Sequence, residues 1–123
     1  MIRFALAFIL CAGAAQAQSV KLSGAEISEL LSGNTALGLW EGNAYRQYFD
    51  PGGSTIYAQE GARSALGKWR VEDDEFQSLW PRDADWEGWF VMEYAGQWFW
   101  VSKTTPPTPF EVLKGQQLVE SAN

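Results

Sequence analysis

The aromatic stretch at residues 86–101 leaves few folds open to this chain. Two runs of large apolar residues flank Ala95-Gly96, a pair suited to the tip of a β-hairpin. A two-residue loop pairs Tyr94 with Gln97 and fixes the partners of the other residues. One face then carries Phe90, Met92, Tyr94, Phe99 and Val101, and the other carries Trp89, Val91, Glu93, Trp98 and Trp100. Because a half-buried strand alternates apolar and polar residues, this hairpin needs a cover on both faces.

Two interpretations of the tryptophan-bearing face are open. In the first, the strands belong to a closed or nearly closed barrel, covered outside by an N-terminal helix and the proline-rich residues 104–109. In the second, an exposed binding platform stacks on a sugar or receives an apolar side chain of a partner. The platform consists of Trp89, Glu93, Trp98 and Trp100. A three-residue loop would instead move Trp98 and Trp100 to the face of Met92 and merge the platform with the core.

The rest of the chain from Leu37 onward has the residue pattern typical of a β meander. Short runs rich in Tyr, Phe, Trp, Val and Thr alternate with turn residues, and Asp50-Pro51-Gly52-Gly53 is the clearest turn. The predicted strands cover residues 38–42, 44–50, 54–59, 66–72, 75–80, 86–94, 97–102 and 110–113. The fold class is therefore mainly β, a small antiparallel meander or barrel.

One short helix precedes the strands. Ser23 and Glu26 have the spacing of a capping box, which marks a helix start. Ile27 and Leu31 lie on one face, and Gly33 is placed to end the helix in the left-handed conformation. A helix of two or three turns needs the sheet beneath it for stability.

The first seventeen residues have the order of a secretory signal peptide. Arg3 precedes an apolar run, and small residues lead to a cleavage site at Ala15-Gln16-Ala17. Lipidation at Cys11 is the competing use of this segment, but Ile9-Leu10 before it are not the small residues that such processing wants. We expect cleavage after residue 17, export to the periplasm or the cell exterior, and no retained membrane anchor.

Cleavage would leave residues 18–123 as a single β-rich domain. This length suits one domain and not two. We expect the last residues, 116–123, to be loosely held.

Composition removes several function classes. The chain has no histidine, and its one cysteine, Cys11, would leave with the signal peptide. Imidazole catalysis, His-ligated metals and thiolate chemistry are thereby excluded from the domain. A formal net charge of −6 disfavours nucleic acid as a partner. No glycine-rich phosphate-binding motif occurs, so we expect no cofactor and no enzymatic activity.

Carboxylates offer the remaining chemistry. Asp83, Asp85 and Glu87 would share one side of an extended segment and form a weak candidate for a metal site. The same residues also suit a solvated, charged start of a strand.

Gly38-Leu39-Trp40, after a short helix and at the start of a meander, resembles the G-x-W motif of lipocalin-type barrels. That resemblance implies a cup-shaped barrel for a small apolar ligand. The chain departs from the pattern because it is short and has no arginine after Arg82.

Residues 22–101 also resemble a family of small exported β-rich proteins of unknown function from α-proteobacteria. The matching segments are Leu22-Ser23-Gly24, Leu31-Ser32-Gly33-Asn34-Thr35, Tyr45-Arg46-Gln47-Tyr48-Phe49, Gly67-Lys68-Trp69-Arg70-Val71, Phe76 with Trp80, and residues 96–100. Relatives carry cysteines at the places of Gln77 and Gly88, so the resemblance implies that the strands of these two residues are adjacent.

The sequence favours a non-catalytic binding module. Its partner would be an envelope protein, a glycan, a small apolar ligand or an exported enzyme to be inhibited. A carboxylate-dependent hydrolase of glycans is the alternative from the enzyme class. A structural envelope protein is the third interpretation.

Overall fold

The computed structural model describes residues 18–119 of the chain. The expected signal peptide, with Cys11, lies outside the described residues, as do residues 120–123. The nine strands are β1 Val20–Lys21, β2 Thr35–Trp40, β3 Asn43–Phe49, β4 Ser54–Gln59, β5 Ala65–Glu72, β6 Glu75–Leu79, β7 Glu87–Tyr94, β8 Gln97–Val101 and β9 Thr108–Leu113. The one helix within residues 18–119, α1, covers Gly24–Leu31. The predicted mainly β class with one N-terminal helix is confirmed, and β1 is an addition to the predicted strands.

Strands β2 to β9 form a closed antiparallel barrel. Neighbours along the chain pair from β2 to β9, and the ring closes where β9 pairs with β2. The short β1 extends the edge of β7 beyond β6. Gln77 of β6 lies directly opposite Gly88 of β7, which is the adjacency that the family resemblance implies. Closure leaves the eight barrel strands without a free edge between them.

The β7–β8 hairpin has the register predicted for a two-residue loop. Tyr94 is opposite Gln97, and Val91 is opposite Trp100. The loop residues Ala95 and Gly96 have φ angles of 52° and 80°. Positive φ at both central positions is the geometry of the type I′ turn, whose twist matches that of the flanking strands.

The barrel interior receives alternate residues from every strand. Pairing across the sheet keeps these residues on one side, as for Gly38 with Tyr45 and for Val91 with Trp100. The buried core consists of Leu22, Ile27, Leu31, Ala36, Phe49, Trp69, Phe76, Val91, Trp100 and Phe110. Phe49 is its centre, with ring contacts to Trp69 and Phe76 at centroid distances of 5.5 Å.

Helix α1 closes one end of the barrel. Its capping box is confirmed, because Ser23 Oγ accepts from the backbone N–H of Glu26 and the Glu26 carboxylate accepts from that of Ser23. Gly33, with φ of 78°, donates from its backbone to the Phe49 carbonyl at the end of β3. Ile27 is fully buried among inward-facing residues. The helix therefore plugs the barrel end, whereas the closed-barrel interpretation of the sequence places it on the outer face.

The outer face of the β7–β8 hairpin stays partly open. An apolar recess of about 390 Å³ there is lined by Ser19, Met92, Tyr94, Phe99, Val101 and Pro107. Tyr94 is 45% exposed. Pro107, from the proline-rich connection, is the part of the expected cover that reaches this face.

After β9 the chain returns to the barrel wall. The backbone N–H of Gln117 donates to Thr35 Oγ1, and its carbonyl accepts from the Arg46 guanidinium. These two bonds lie within the segment expected to be loose, so its first residues are attached to the barrel. Within residues 18–119, no helix has the length and apolarity needed to cross a membrane.

We expect the helix plug to carry a large share of the stability. Replacing the fully buried Ile27 by alanine leaves a cavity at the closed end and should lower the free energy of unfolding by about 2–5 kcal/mol. Urea unfolding followed by tryptophan fluorescence measures this loss. The exposed Glu29 of the same helix is the control, since Glu29→Ala should change stability by less than ~0.5 kcal/mol. Equal effects of the two substitutions would contradict the plug.

Candidate functional site

The barrel end opposite α1 contains an unfilled cavity of about 350 Å³. It lies beneath the loops 41–42, 60–64, 80–86 and 102–107, which join the strands at this end. The lining residues are Trp40, Tyr45, Gln47, Tyr57, Gln59, Ala65, Phe76, Ser78, Trp80, Glu87, Trp89 and Trp100. Ala65 and Glu87 at the rim are exposed, so the cavity opens to solvent there. We call it the open cavity.

Strand alternation explains which residues reach the open cavity. On β3, Tyr45, Gln47 and Phe49 all point inward; the first two line the cavity, while Phe49 lies deeper in the core. On the next strand, Tyr57 stands opposite Gln47 and also points inward. The cavity wall is therefore built from the inward positions nearest the open end of each strand.

The floor of the open cavity is a group of ordered aromatic rings. Trp100 Nε1 donates a 3.0 Å hydrogen bond to the Tyr45 hydroxyl across the barrel. The Trp100 ring stacks on Phe110 with centroids 4.0 Å apart and tilts against Phe76 at 5.2 Å. Trp100 is 7% exposed. This ring therefore separates the closed core from the cavity above it.

The mouth of the open cavity has two pairs of perpendicular rings. Trp40 and Trp89 meet edge to face with centroids 5.9 Å apart, and Tyr57 and Trp80 do so at 6.2 Å. Gly67 makes room for one of these rings, because a Cβ at this position would lie 2.5 Å from Trp80 Cε3. All four rings are only half-buried. Their remaining surface is available to a molecule in the cavity.

Polar groups on the cavity wall are largely held by neighbours. Gln47 Nε2 donates to Thr55 Oγ1 at 2.9 Å, which orients the buried amide. The Tyr57 hydroxyl donates to Gln59 Oε1 at 3.3 Å. Fixed amides and hydroxyls in an otherwise aromatic wall can orient a ligand through a few hydrogen bonds.

Burial keeps the phenols of the open cavity in their neutral form. Burial raises the pKa of Tyr57 to about 12, and the neighbouring Tyr45 and Glu41 contribute in the same direction. Burial likewise raises the pKa of Tyr45, although the hydrogen bond from Trp100 partly opposes this shift. Both phenols therefore remain neutral donors throughout the physiological pH range.

The structure divides the predicted platform between two places. Trp89 and Trp100 line the open cavity, whereas Trp98 and Glu93 pair with each other farther toward the closed end. All four point toward the barrel interior, and Trp100 is buried. The three indoles therefore do not form one exposed surface, and a binding role for the set stays a prediction.

The weak metal candidate is not assembled. No group of three carboxylate, histidine or cysteine side chains suited to a metal ion occurs within residues 18–119. Asp83 Oδ2 instead accepts from the backbone N–H of Trp80 at 3.1 Å. Of the three candidates, Glu87 is the one that reaches the open cavity.

Most of the cavity residues were not anticipated from the sequence. Trp40, Tyr45 and Tyr57 lie on β2, β3 and β4, and Trp80 directly follows β6. The pairing of the strands into a closed barrel brings these rings together with those of the β7–β8 hairpin. A partial signal exists on β3 and β4, where polar residues occupy inward positions near the open end. Polar residues at inward positions indicate a part of the barrel interior that apolar core side chains do not fill.

Comparisons with known proteins give no relative for this chain. It matches no protein-family model, no curated protein and no solved structure.

The shifted phenol of Tyr57 predicts a loss of stability in alkali. Its pKa is about 12 in the barrel against an ordinary value of 10.0, so between these values the folded state keeps a proton that the unfolded state releases. The contribution of the neutral Tyr57 phenol to the free energy of unfolding is therefore fully present below pH 10 and is lost as the pH rises toward 12. We expect the urea midpoint of unfolding to fall less steeply with rising pH over this interval in the Tyr57→Phe variant than in the parent protein. An identical slope in both proteins would contradict the shift.

Proposed function

We propose that this protein is a non-catalytic binding protein that holds one small organic molecule in the open cavity. The observation that carries the proposal is a cavity of about 350 Å³, walled by aromatic rings and open at one end of a closed barrel. This volume lies near the lower end of the ~300–1,000 Å³ typical of small-molecule sites. Barrels of eight strands can either fill their interior with side chains or hold one such ligand.

The contrast between the two halves of the interior supports binding. Toward α1 the rings of Phe49, Trp69 and Phe76 contact one another, and the core is closed. Toward the other end, half-buried Trp40 and Trp89 present ring surface to an unfilled space. Covering apolar surface is worth about 25 cal/mol per Å², so a ligand of matching shape gains free energy there.

A glycan hydrolase fits the open cavity less well. Glycoside hydrolysis uses two carboxyl groups separated by roughly 5–9.5 Å across the scissile bond. Among the described residues that line the cavity, Glu87 is the single carboxylate. One acid at the rim can fill only one of the two roles, so the described lining lacks either the general acid or the base or nucleophile that works with it.

The binding protein acts outside the cytoplasm in this proposal. The order of charges, apolar residues and small residues in positions 1–17 supports export. The domain itself would work without a cofactor, either in the periplasm or outside the cell.

Dye binding tests the proposal. N-phenyl-1-naphthylamine is neutral and apolar, and its emission rises when it leaves water for an apolar site. We expect saturable binding of one dye per chain. Ala65 lies on the cavity wall at the rim, so Ala65→Trp should block the opening and weaken dye binding at least tenfold.

The neighbouring Leu66 provides a matched control. Leu66 is 62% exposed on the outer face of the same strand, so Leu66→Trp adds the same ring outside the barrel and should leave dye affinity unchanged. Equal loss in both variants, or no saturable binding in the parent protein, would contradict the proposed function. Urea unfolding of both variants verifies that each remains folded.

A further inference from the structure

The charge in the lining of the open cavity is negative. Glu87 is the single charged residue among the described lining residues, and no lysine or arginine accompanies it. It begins β7 at the rim, directly opposite Ser78 of β6. Within residues 18–119, Glu87 takes part in no salt bridge, since the one pair formed there joins Arg70 and Glu72. Its carboxylate is free to meet a positive group on a ligand.

The rings at the mouth suit a positive group as well. An aromatic face carries negative quadrupolar charge and attracts a cation within about 6 Å of its centroid. Trp40 and Trp89 stand at 84° to each other, and Tyr57 and Trp80 at 79°. A group entering between these pairs meets ring surfaces from several directions, which is the arrangement found in aromatic cages for ammonium groups.

The loops around the opening carry a net negative charge, like the cavity lining. The acidic residues of these loops and of the rim are Glu41, Glu60, Asp83, Asp85 and Glu87. The basic residues of the loops are Arg63, Arg82 and Lys103. The whole chain has a formal net charge of −6. A cation approaching the opening is therefore attracted, and an anion is repelled.

We propose that the ligand of the open cavity is an organic cation, an ammonium group attached to an apolar body. The apolar body lies on the floor formed by Trp100 and Phe76, and the ammonium group lies at the mouth between the ring faces and the Glu87 carboxylate. The inference rests on the proposed function and names the chemical class that the same cavity selects.

The ionisation of the cavity phenols agrees with this assignment. Burial, together with Tyr45 and the Glu41 carboxylate, holds the pKa of Tyr57 at about 12. Burial disfavours a charge of either sign, whereas the Glu41 carboxylate disfavours an anion in particular. A carboxylate on a ligand is therefore opposed by both burial and Glu41, and an ammonium group by burial alone.

Three ligands on one skeleton test the inference with the purified protein. The probes are 3-phenylpropylammonium, 3-phenylpropan-1-ol and 3-phenylpropanoate, which share their apolar body and differ in charge. Isothermal titration calorimetry measures each affinity at low ionic strength. We expect the ammonium compound to bind roughly tenfold more tightly than the alcohol, and the carboxylate to bind more weakly than both.

A charge-removing variant locates the effect. Glu87→Gln should weaken binding of the ammonium compound about threefold to fivefold and leave the alcohol unchanged. Glu29→Gln removes the same charge from α1 at the closed end and should leave both affinities as they were. A loss that is equal in the two variants would assign the effect to net charge and overturn the role of Glu87.

The outcomes separate this inference from the proposed function. Equal or tighter binding of the alcohol, or no binding by any of the three probes, overturns the cation assignment. If N-phenyl-1-naphthylamine still binds and Ala65→Trp still blocks it, the binding function stands without that assignment. If the dye fails as well, both proposals fall.

Discussion

The interior of this protein depends on the register of β7 against β8. Because side chains alternate between the two faces of a strand, a slip of one residue in one strand would send its inward set outward. The type I′ turn at Ala95-Gly96 fixes the pairing that puts Val91 and Trp100 on the same side. Only with this register can the Trp100 indole bond to Tyr45 on the opposite part of the wall. The ring of Trp100 then divides the barrel into a filled half and an unfilled half.

The two ends of the barrel interior are filled to different extents. At the closed end, α1 inserts Ile27 and Leu31 among the inward residues of the strands, and the capping box stabilises the first turn of that short helix. At the open end, no helix formed by residues 18–119 supplies apolar side chains, and the described lining consists mainly of half-buried rings with one acid, Glu87, at the rim. The same closed sheet therefore provides stability at one end and a candidate binding site at the other.

Local features of the fold could be predicted from the sequence because their causes are local. The capping box of Ser23 and Glu26, the turn at Gly33 and the hairpin partners of Tyr94 follow from residues a few positions apart. Which hairpin face lies inside could not be decided, since both faces are apolar. That choice depends on closure between β2 and β9, a pairing of Gly38 with Phe110 that no local pattern indicates.

The candidate site was predictable only in part for the same reason. Trp89 and Trp100 were selected because they share a face of one hairpin, and that face does line the cavity. Trp40 and Tyr57 join them from the distant strands β2 and β4, and Trp80 joins them from the loop after β6. The sequence suggests a metal site of Asp83, Asp85 and Glu87, whereas within residues 18–119 these carboxylates form no group suited to a metal ion, and Glu87 lines the cavity rim.

The indole N–H signals of the seven tryptophans give the most direct test of a ligand site in the open cavity. A ¹H–¹⁵N correlation spectrum during titration with N-phenyl-1-naphthylamine would report each ring separately. We predict that the signals of Trp40, Trp80 and Trp89 shift as the dye enters. The signal of Trp69, whose indole donates a hydrogen bond to the Asp50 carbonyl at the closed end, should not shift. Shifts confined to tryptophans outside the cavity lining, or none at saturation, would contradict it.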